Sequence, residues 1–577
     1  MWHGLETSWV GSLIIVGLLI WFTIVTWSAA PQAERKDVKA AWSGVFVWVI
    51  PSLLLLQIAL YDPTMNDSLC YRLPRIFLWL QEGQISRVQT ADFRINSMPW
   101  GWEALAIPFA SLNAMTWSGL INLGAWAVIF QISFQWARDG GVGDSRARWI
   151  ALALSTAPGF LIQAASTAND FYTFALLLIA THFVLQYSRK PTQADVYLSL
   201  LALVLATSVK PQFLVFGACW GLWWLFGPQR PYKKVNWVML CLVAPLLIFL
   251  SPVPQLWENR VVNGSIMGVA PNEMDGSKTS APMMMIAGSL QFAASQLQLP
   301  LAPHAELLNK TLTEFPGSRL LQLYVPKFTP GITPVAMIDS ASFGLIHALV
   351  VALGIGLAWK PYPTARWLLL ASVTGFAIAA SQVVLFTIGR SFMGFFALLL
   401  PVAALGLARL SRKRCILLVC IATATGLAAT ILNPSSPLWP SKTLEPQAAK
   451  YGGNGVAAKF KAYNDYQARA DTGLDILDSV PAGESVNAIF RSFTPLYGLW
   501  VPNWKKHRIK FIHHEDPDKF TQSDARWLLI GEKAVEEFPN ANLFGNPASW
   551  QVVAQKDYLP NIKQGIETWT LYRRISN

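Results

Sequence analysis

Asp67, Glu103 and Asp170 are acids that follow or interrupt long apolar runs, and Arg72, Arg75, Lys210 and Arg390 are cations in the same kind of position. Charge at the end of an apolar helix is costly unless it reaches water or finds a partner. A carboxylate held there can take a proton from a bound hydroxyl. A single Arg or Lys nearby can hold a phosphate, Arg through two donors and Lys as a point charge. Each residue also has a plainer reading. Asp62 and Asp67 can meet headgroups or end a helix, Asn169 or Asp170 can cap the helix that follows, and Lys210 and Arg390 can snorkel to a membrane surface. Two acids and two isolated cations gathered on one face of a membrane nevertheless suggest a site.

The elements that would position these groups are mostly apolar helices. The 577 residues are 53% hydrophobic and only 14% charged, which excludes an ordinary soluble multidomain protein and predicts a polytopic α-helical membrane protein. The net charge of +12 does not indicate nucleic acid as a partner, because the basic residues sit in short clusters between apolar runs. About twelve spanning helices are expected from length and polarity. They fall at 9–29, 41–61, 116–137, 149–166, 171–187, 194–209, 212–227, 236–251, 341–359, 367–388, 391–408 and 415–432. The pair 194–209 and 212–227 is joined by VKPQ alone and could instead form one re-entrant element. The N-terminus lacks a basic stretch and a cleavage site before its apolar run, so the first helix is expected to be retained. Of five cysteines only Cys70 lies in a polar loop, and neither a disulfide framework nor a CxxC metal pattern is expected.

Orientation follows from the short loops. Arg35, Lys36 and Lys39, then Arg138, Arg146 and Arg148, then Arg189 and Lys190, then Arg230, Lys233 and Lys234, then Lys360 and Arg366, then Arg409, Arg412, Lys413 and Arg414 occupy alternate connections. The short connections on the other side hold only Lys210 and Arg390. The first set is therefore expected in the cytoplasm, with both termini outside. Residues 1–432 would form the membrane module, with a first outer loop at 62–115 and a second at 252–340. A Pro/Ser-rich linker at 433–456 would lead to an extracytoplasmic α/β domain at 457–577, whose strands are SVNAIF, HRIKFIH, RWLLIG, WQVVAQ and TWTLYRR and whose helical pattern runs over 457–478. In the first outer loop, Leu73, Ile76, Phe77 and Leu80 recur at i, i+3, i+4 and i+7, which predicts a helix lying along the membrane surface.

NDSLCYRLPRIFLWLQEGQI, continuing to VQTADFRINSMPWGWEAL, resembles the first outer loop of bacterial integral-membrane glycosyltransferases of the C-type superfamily (GT-C). That group includes the protein O-mannosyltransferases of glycosyltransferase family 39 and the lipid A aminoarabinose transferases. Asp67, Tyr71, Arg75, Trp79, Gly83, Pro99 and Glu103 follow the order of that loop. ANDFYTF, SVKPQF and GRSFMGFFALLLP are similar to later turns of the family, so the resemblance runs over roughly 41–410. Arg72 stands where the family usually has His, and Pro99-Trp100 where Pro-Pro is frequent.

The resemblance implies transfer of a sugar from a polyprenyl-phosphate donor to a hydroxyl on a glycan, lipid or protein acceptor outside the cytoplasm of a bacterial inner membrane. Asp67 would be the general base of an inverting reaction. Asp170 and Glu103 would orient a substrate or help hold a divalent cation such as Mg or Mn, and Arg390 and Lys210, with Arg72 or Arg75, would stabilise the lipid-phosphate leaving group. Asp62 and Tyr71 would lie beside the site, and membrane lipid would surround it.

Two rival enzymes or carriers fit the helix count. A secondary transporter would place charge at the bilayer midplane and often repeats its halves, and neither pattern is visible. An O-antigen ligase or polymerase would centre on the second long loop with Glu258, Arg260, Glu273, Asp275, His304 and Arg319, a loop that otherwise reads as a mobile lid. A non-enzymatic assembly protein would use the tail, whose adjacent His513 and His514 point to opposite faces of a strand and make a poor metal site.

Overall fold

The computed structural model describes residues 38–439, 446 and 475–575, apart from 91, 227–230, 234, 267, 269–279, 300–304, 326–327, 329–330, 333–337, 339–341, 363, 382–387, 492–493, 502, 513–525, 538–548 and 562–564. The expected span at 9–29, most of the helical pattern at 457–478, the His513-His514-Glu515 stretch, and Glu273, Asp275 and His304 lie outside the described residues.

Apolar helices pack around one large core that draws on Leu120–Asp139, Asp144–Ser155, Asn169–Arg189, Gln193–Val209, Leu399–Leu407 and Arg412–Ile431. Among the described residues three helices are long and apolar enough to cross a membrane, at Met115–Asp139, Asn169–Arg189 and Arg412–Ile431. Trp237–Leu250 with Val253–Asn263 makes a fourth if that pair, bent by 52°, is one span. Val45–Leu60, Gln193–Val209, Leu345–Ala358 and Arg366–Ala380 are shorter apolar helices. Leu345–Ala358 and Leu399–Leu407 approach so closely that a Cβ on Gly406 would collide with the Gly354 carbonyl, the small-residue contact that membrane helices use in place of a hydrophobic drive.

Helix breaks fall where the residue types demand them. The run expected as one span at 149–166 is two pieces, Asp144–Ser155 and Pro158–Ala164, because Pro158 brings no N–H and opens a new helix at its first turn. The stretch 194–227 is two helices, Gln193–Val209 and Leu214–Phe226, separated by Lys210 and a 3₁₀ turn at Pro211–Phe213. Lys210 precedes a proline and takes the extended conformation that proline imposes, with φ −141° and ψ 102°.

The C-terminal region carries a five-stranded sheet of order β2-β1-β3-β5-β4, with β1 Ser485–Ile489, β2 Arg508–Phe511, β3 Trp527–Gly531, β4 Trp550–Asn561 and β5 Gly565–Arg574. Each of the five stretches read as strand in the sequence is one. β1 runs parallel to β2 and β3, and β5 runs antiparallel to β3 and β4. All five residues of the central β3 are buried, as a strand covered on both faces requires.

Two parts of the chain differ from expectation. The start of the expected linker is tied down: Gln57 Nε2 donates to the carbonyls of Thr430 and Ser436 at 3.0 and 2.7 Å. The amphipathic helix Leu73–Glu82 does not present its apolar face to lipid. Phe77 stacks on Trp500 at 5.7 Å, and Leu73, Ile76 and Phe77 join one core with Val486, Tyr497, Trp500 and Ile509 of the sheet region. Periodicity identified the apolar face but not which surface would cover it.

Candidate active site

Asp67 opens a π-helical turn, Ser68–Arg72, in which the Leu73 N–H reaches back five residues to the Ser68 carbonyl. Turns of this kind are rare and recur at functional sites. The turn is stitched to the loop that precedes Asp170. Ser68 Oγ donates to the Thr167 carbonyl at 3.1 Å, and Thr167 Oγ1 donates back to Ser68 Oγ at 2.8 Å. Arg72 Nη1 donates to the same Thr167 carbonyl at 3.4 Å, and its Nε to the Tyr71 hydroxyl at 3.3 Å.

Four broken helix ends then converge. Arg390, on a short turn at Ile388–Ser391, bridges both acids: Nη2 lies 3.3 Å from Asp67 Oδ2 and Nε lies 3.3 Å from Asp170 Oδ2. Lys210 Nζ pairs with Asp170 Oδ1. Arg72 Nη2 lies 3.8 Å from Asp67 Oδ2, and Arg94 Nη1 lies 3.5 Å from Asp67 Oδ1. Asp170 is sealed at 1% side-chain exposure, whereas Asp67 keeps 29%. Burial pushes the Asp67 carboxyl up, but Arg390, Arg72, Arg94 and Lys210 together outweigh it and hold the group below the ordinary carboxylate range.

Asp67, Asp170, Arg72, Tyr71, Lys210 and Arg390 are thus brought together. Arg75, Glu103 and Asp62 are not part of this cluster. Arg75 Nη2 donates to the Arg94 carbonyl at 2.7 Å and Nη1 to the Pro99 carbonyl at 3.3 Å, so its donors hold backbone. Glu103 faces Arg75 Nη1 at 3.8 Å, with both side chains 1% exposed. Burial raises its carboxyl, and Arg75 and Arg72 offset only part of that. Asp62 accepts from Thr116 Oγ1 at 2.6 Å and ties the first loop to the next helix.

Arg94 is the site residue that sequence reading missed. It lies over the Tyr71 ring at 4.6 Å and is gripped by Asp92, whose Oδ2 accepts from Nη2 at 2.6 Å while Oδ1 accepts from both Nε and the backbone N–H at 3.0 Å. An acid two residues before an arginine, bonding its backbone as such turns do, was a signal that could have marked it. The loop at 252–340 supports this turn: Gln255 Nε2 donates to the Asn96 carbonyl at 2.7 Å and Asn259 Nδ2 to the Ser97 carbonyl at 2.8 Å. Elsewhere in that loop Glu258 accepts from Gln255, and Arg260 bonds the Gly264 carbonyl.

The donor set does not fit a divalent cation. Asp67 and Asp170 already face Arg and Lys, Glu103 stands apart with Arg75, and no group of three or more His, Cys, Asp or Glu that could hold a metal occurs among the described residues. No step below is routed through a metal.

No protein-family model and no curated protein matches the chain. Among solved structures it is similar to ArnT from Cupriavidus metallidurans in the apo state, with 11% identity, a TM-score of 0.53, and coverage of 93% of this chain and 98% of ArnT. A second structure of ArnT, bound to undecaprenyl phosphate, matches at 13% identity and a TM-score of 0.47 over 92% of this chain and 98% of ArnT. At such identities the likeness is one of fold, and it spans nearly the whole of both chains. The chain, helices and appended sheet together, thus has an ArnT-like fold.

Proposed function

We propose that the protein is a bacterial inner-membrane glycosyltransferase that moves a sugar from a polyprenyl-phosphate donor to an acceptor hydroxyl on a glycan, lipid or protein, outside the cytoplasm. The observation that carries this reading is Asp67: a carboxylate with an open face, ringed by Arg390, Arg72 and Arg94 at 3.3, 3.8 and 3.5 Å. Cations so placed suit a phosphate beside the proton acceptor. ArnT has been solved with undecaprenyl phosphate; in this chain the cations support a phosphate, and the polyprenyl carrier is what the resemblance of the first loop implies.

In the proposed reaction the acceptor oxygen attacks the anomeric carbon, its proton passes to Asp67, and the bond from that carbon to the phosphate oxygen breaks with inversion. The electron pair leaves on polyprenyl phosphate, whose added charge is met by Arg390 and Lys210, with Arg72 and Arg94 assisting. The phosphate competes with the two acids for Arg390. Once it draws that guanidinium away, Asp67 becomes a stronger base, so binding the donor prepares the acid for its role. In this reading residues 1–432 form the catalytic module, 433–456 a linker and 457–577 the outer domain, and both termini are extracytoplasmic. Asp170 keeps Lys210 and Arg390 in place until the phosphate arrives.

The test is release of polyprenyl phosphate from polyprenyl-phosphate sugars supplied to the purified protein with cell-envelope acceptor extracts. Turnover is expected in the wild type, and Arg390→Ala should lower it by roughly a hundredfold or more, the scale of a lost transition-state cation. A wild type that consumes no lipid-linked sugar but moves a solute across vesicles would replace this reading with transport.

A further inference from the structure

The π-helical turn that carries Asp67 and Arg72 leaves one of its own carbonyls without the usual partner. The Leu73 N–H, which an α-helix would give to Leu69, goes to Ser68 instead. The next candidate, residue 74, is proline and has no N–H. The Leu69 carbonyl is taken by the backbone N–H of Leu496, at 3.0 Å, from the segment that follows β1 in the C-terminal sheet region. A buried carbonyl left without a donor is costly, so this bond supports the turn in its unusual register.

More contacts join the same two regions. Phe77 stacks on Trp500, and Gln81 Nε2 donates to the carbonyls of His507 and Trp504 at 2.8 and 3.4 Å. Gln81 Oε1 accepts from the Ile509 N–H at 3.3 Å. We propose that the C-terminal domain is a clamp for the first outer loop, and that Leu496 is a positioning residue whose main-chain N–H holds the turn bearing Asp67 and Arg72. The domain then acts on the reaction without touching the reacting atoms.

Cys70 supplies a readout within the turn, since it is fully buried there. With Cys219, Cys241, Cys415 and Cys420 replaced, maleimide labelling of the full chain reports opening of the turn alone. Leu496→Pro removes the N–H, whereas Leu496→Met keeps both the N–H and nearly the same volume. Leu496→Pro should raise Cys70 labelling about tenfold to a hundredfold, and Leu496→Met should leave it protected. Gln81→Leu breaks the joint at its other end without touching the ion cluster, and should raise labelling by a smaller factor.

In the transfer assay Leu496→Pro should lower kcat by roughly a hundredfold, the effect of misplacing a reacting group by about 1 Å. KM for the donor should change less, because Arg390 and Lys210 sit on other elements. Only this kinetic arm rests on the transfer reading; an inactive wild type would sink that reading while the thiol labelling still tested the clamp. Cys70 as protected in Leu496→Pro and Gln81→Leu as in wild type would overturn the clamp. If Leu496→Pro does not fold, Gln81→Leu decides alone, and unchanged labelling there has the same force.

Discussion

Asp67 and Glu103 are both acids of the loop at 62–115, and each has an arginine within 4 Å, yet their surroundings differ. Glu103 and Arg75 are each 1% exposed and close on one another, and the arginine spends its donors on two backbone carbonyls. Asp67 keeps 29% of its side chain open and shares three arginines, one of which also serves Asp170. The sealed pair holds the loop together. The open cluster has cations that a ligand can draw away, which is what a site for an anionic substrate needs. Residue type alone did not separate the two, because each is an acid of the same loop that meets an arginine of that loop; exposure and the competing carbonyls do.

Opposite losses should follow from removing the two acids. Asp67→Asn should lower turnover by about a thousandfold, within the range attributed to a positioned general base, with a small shift in thermal midpoint. Glu103→Ala should do the reverse in kind: it strands the buried Arg75 and should cost about 3–5 kcal/mol of stability. Combining it with Arg75→Met should recover much of that, since a buried pair replaced by apolar groups is often close to neutral. Kinetics and thermal unfolding on the same four proteins check this. Full turnover in Asp67→Asn would remove the base assignment and leave the cluster with phosphate binding alone.

The two acids also differ in the sign of their pH dependence. The Asp67 carboxyl is depressed in the folded protein, so its contribution to stability is complete above the unfolded aspartate value and is lost as pH falls through the lower folded value. Glu103 is raised, so its contribution is present below the unfolded glutamate value and is lost as pH rises through the folded one. In kinetics, the acid limb of kcat/KM, which reports the free enzyme, should lie below the ordinary aspartate value of about 3.9. The limb of kcat, which reports the donor complex, should lie higher, because bound phosphate draws Arg390 from Asp67. Coincident limbs would mean that the phosphate does not compete for Arg390.

Local features carried most of what could be read from the sequence. Alternation and turn residues pointed to all five strands, and most apolar runs among the described residues contain a helix, although Pro158 broke the run at 149–166 and the run at 391–408 is a 3₁₀ turn followed by the short helix Leu399–Leu407. Lys210 and Arg390 were legible because each stood alone in a short connection. Arg94 was passed over although Asp92 two residues before it was a local mark, because its place over the Tyr71 ring and beside Asp67 is visible only in the fold. The joint between the first loop and the tail was illegible for another reason: its partners lie 426 residues apart, as in Glu82 and Arg508, and a helix period reports an apolar face without naming what covers it.

Glu82 and Arg508 give the smallest expected effect and the sharpest contrast with Phe77 and Trp500 at the same joint. Arg508 Nη2 alone faces both Glu82 oxygens, at 3.0 Å each, and the side chains are 42% and 48% exposed. Exposed pairs of this kind are worth about 0.2–1 kcal/mol and weaken with salt, whereas a buried aromatic truncated to alanine costs about 3–5 kcal/mol. Arg508→Glu should therefore lower the thermal midpoint by a few degrees at most, and Glu82→Arg added to it should restore part of that at low salt and little at high salt. A loss as large as that of Trp500→Ala would mean that the joint is held by charge at its rim and not by its aromatic centre.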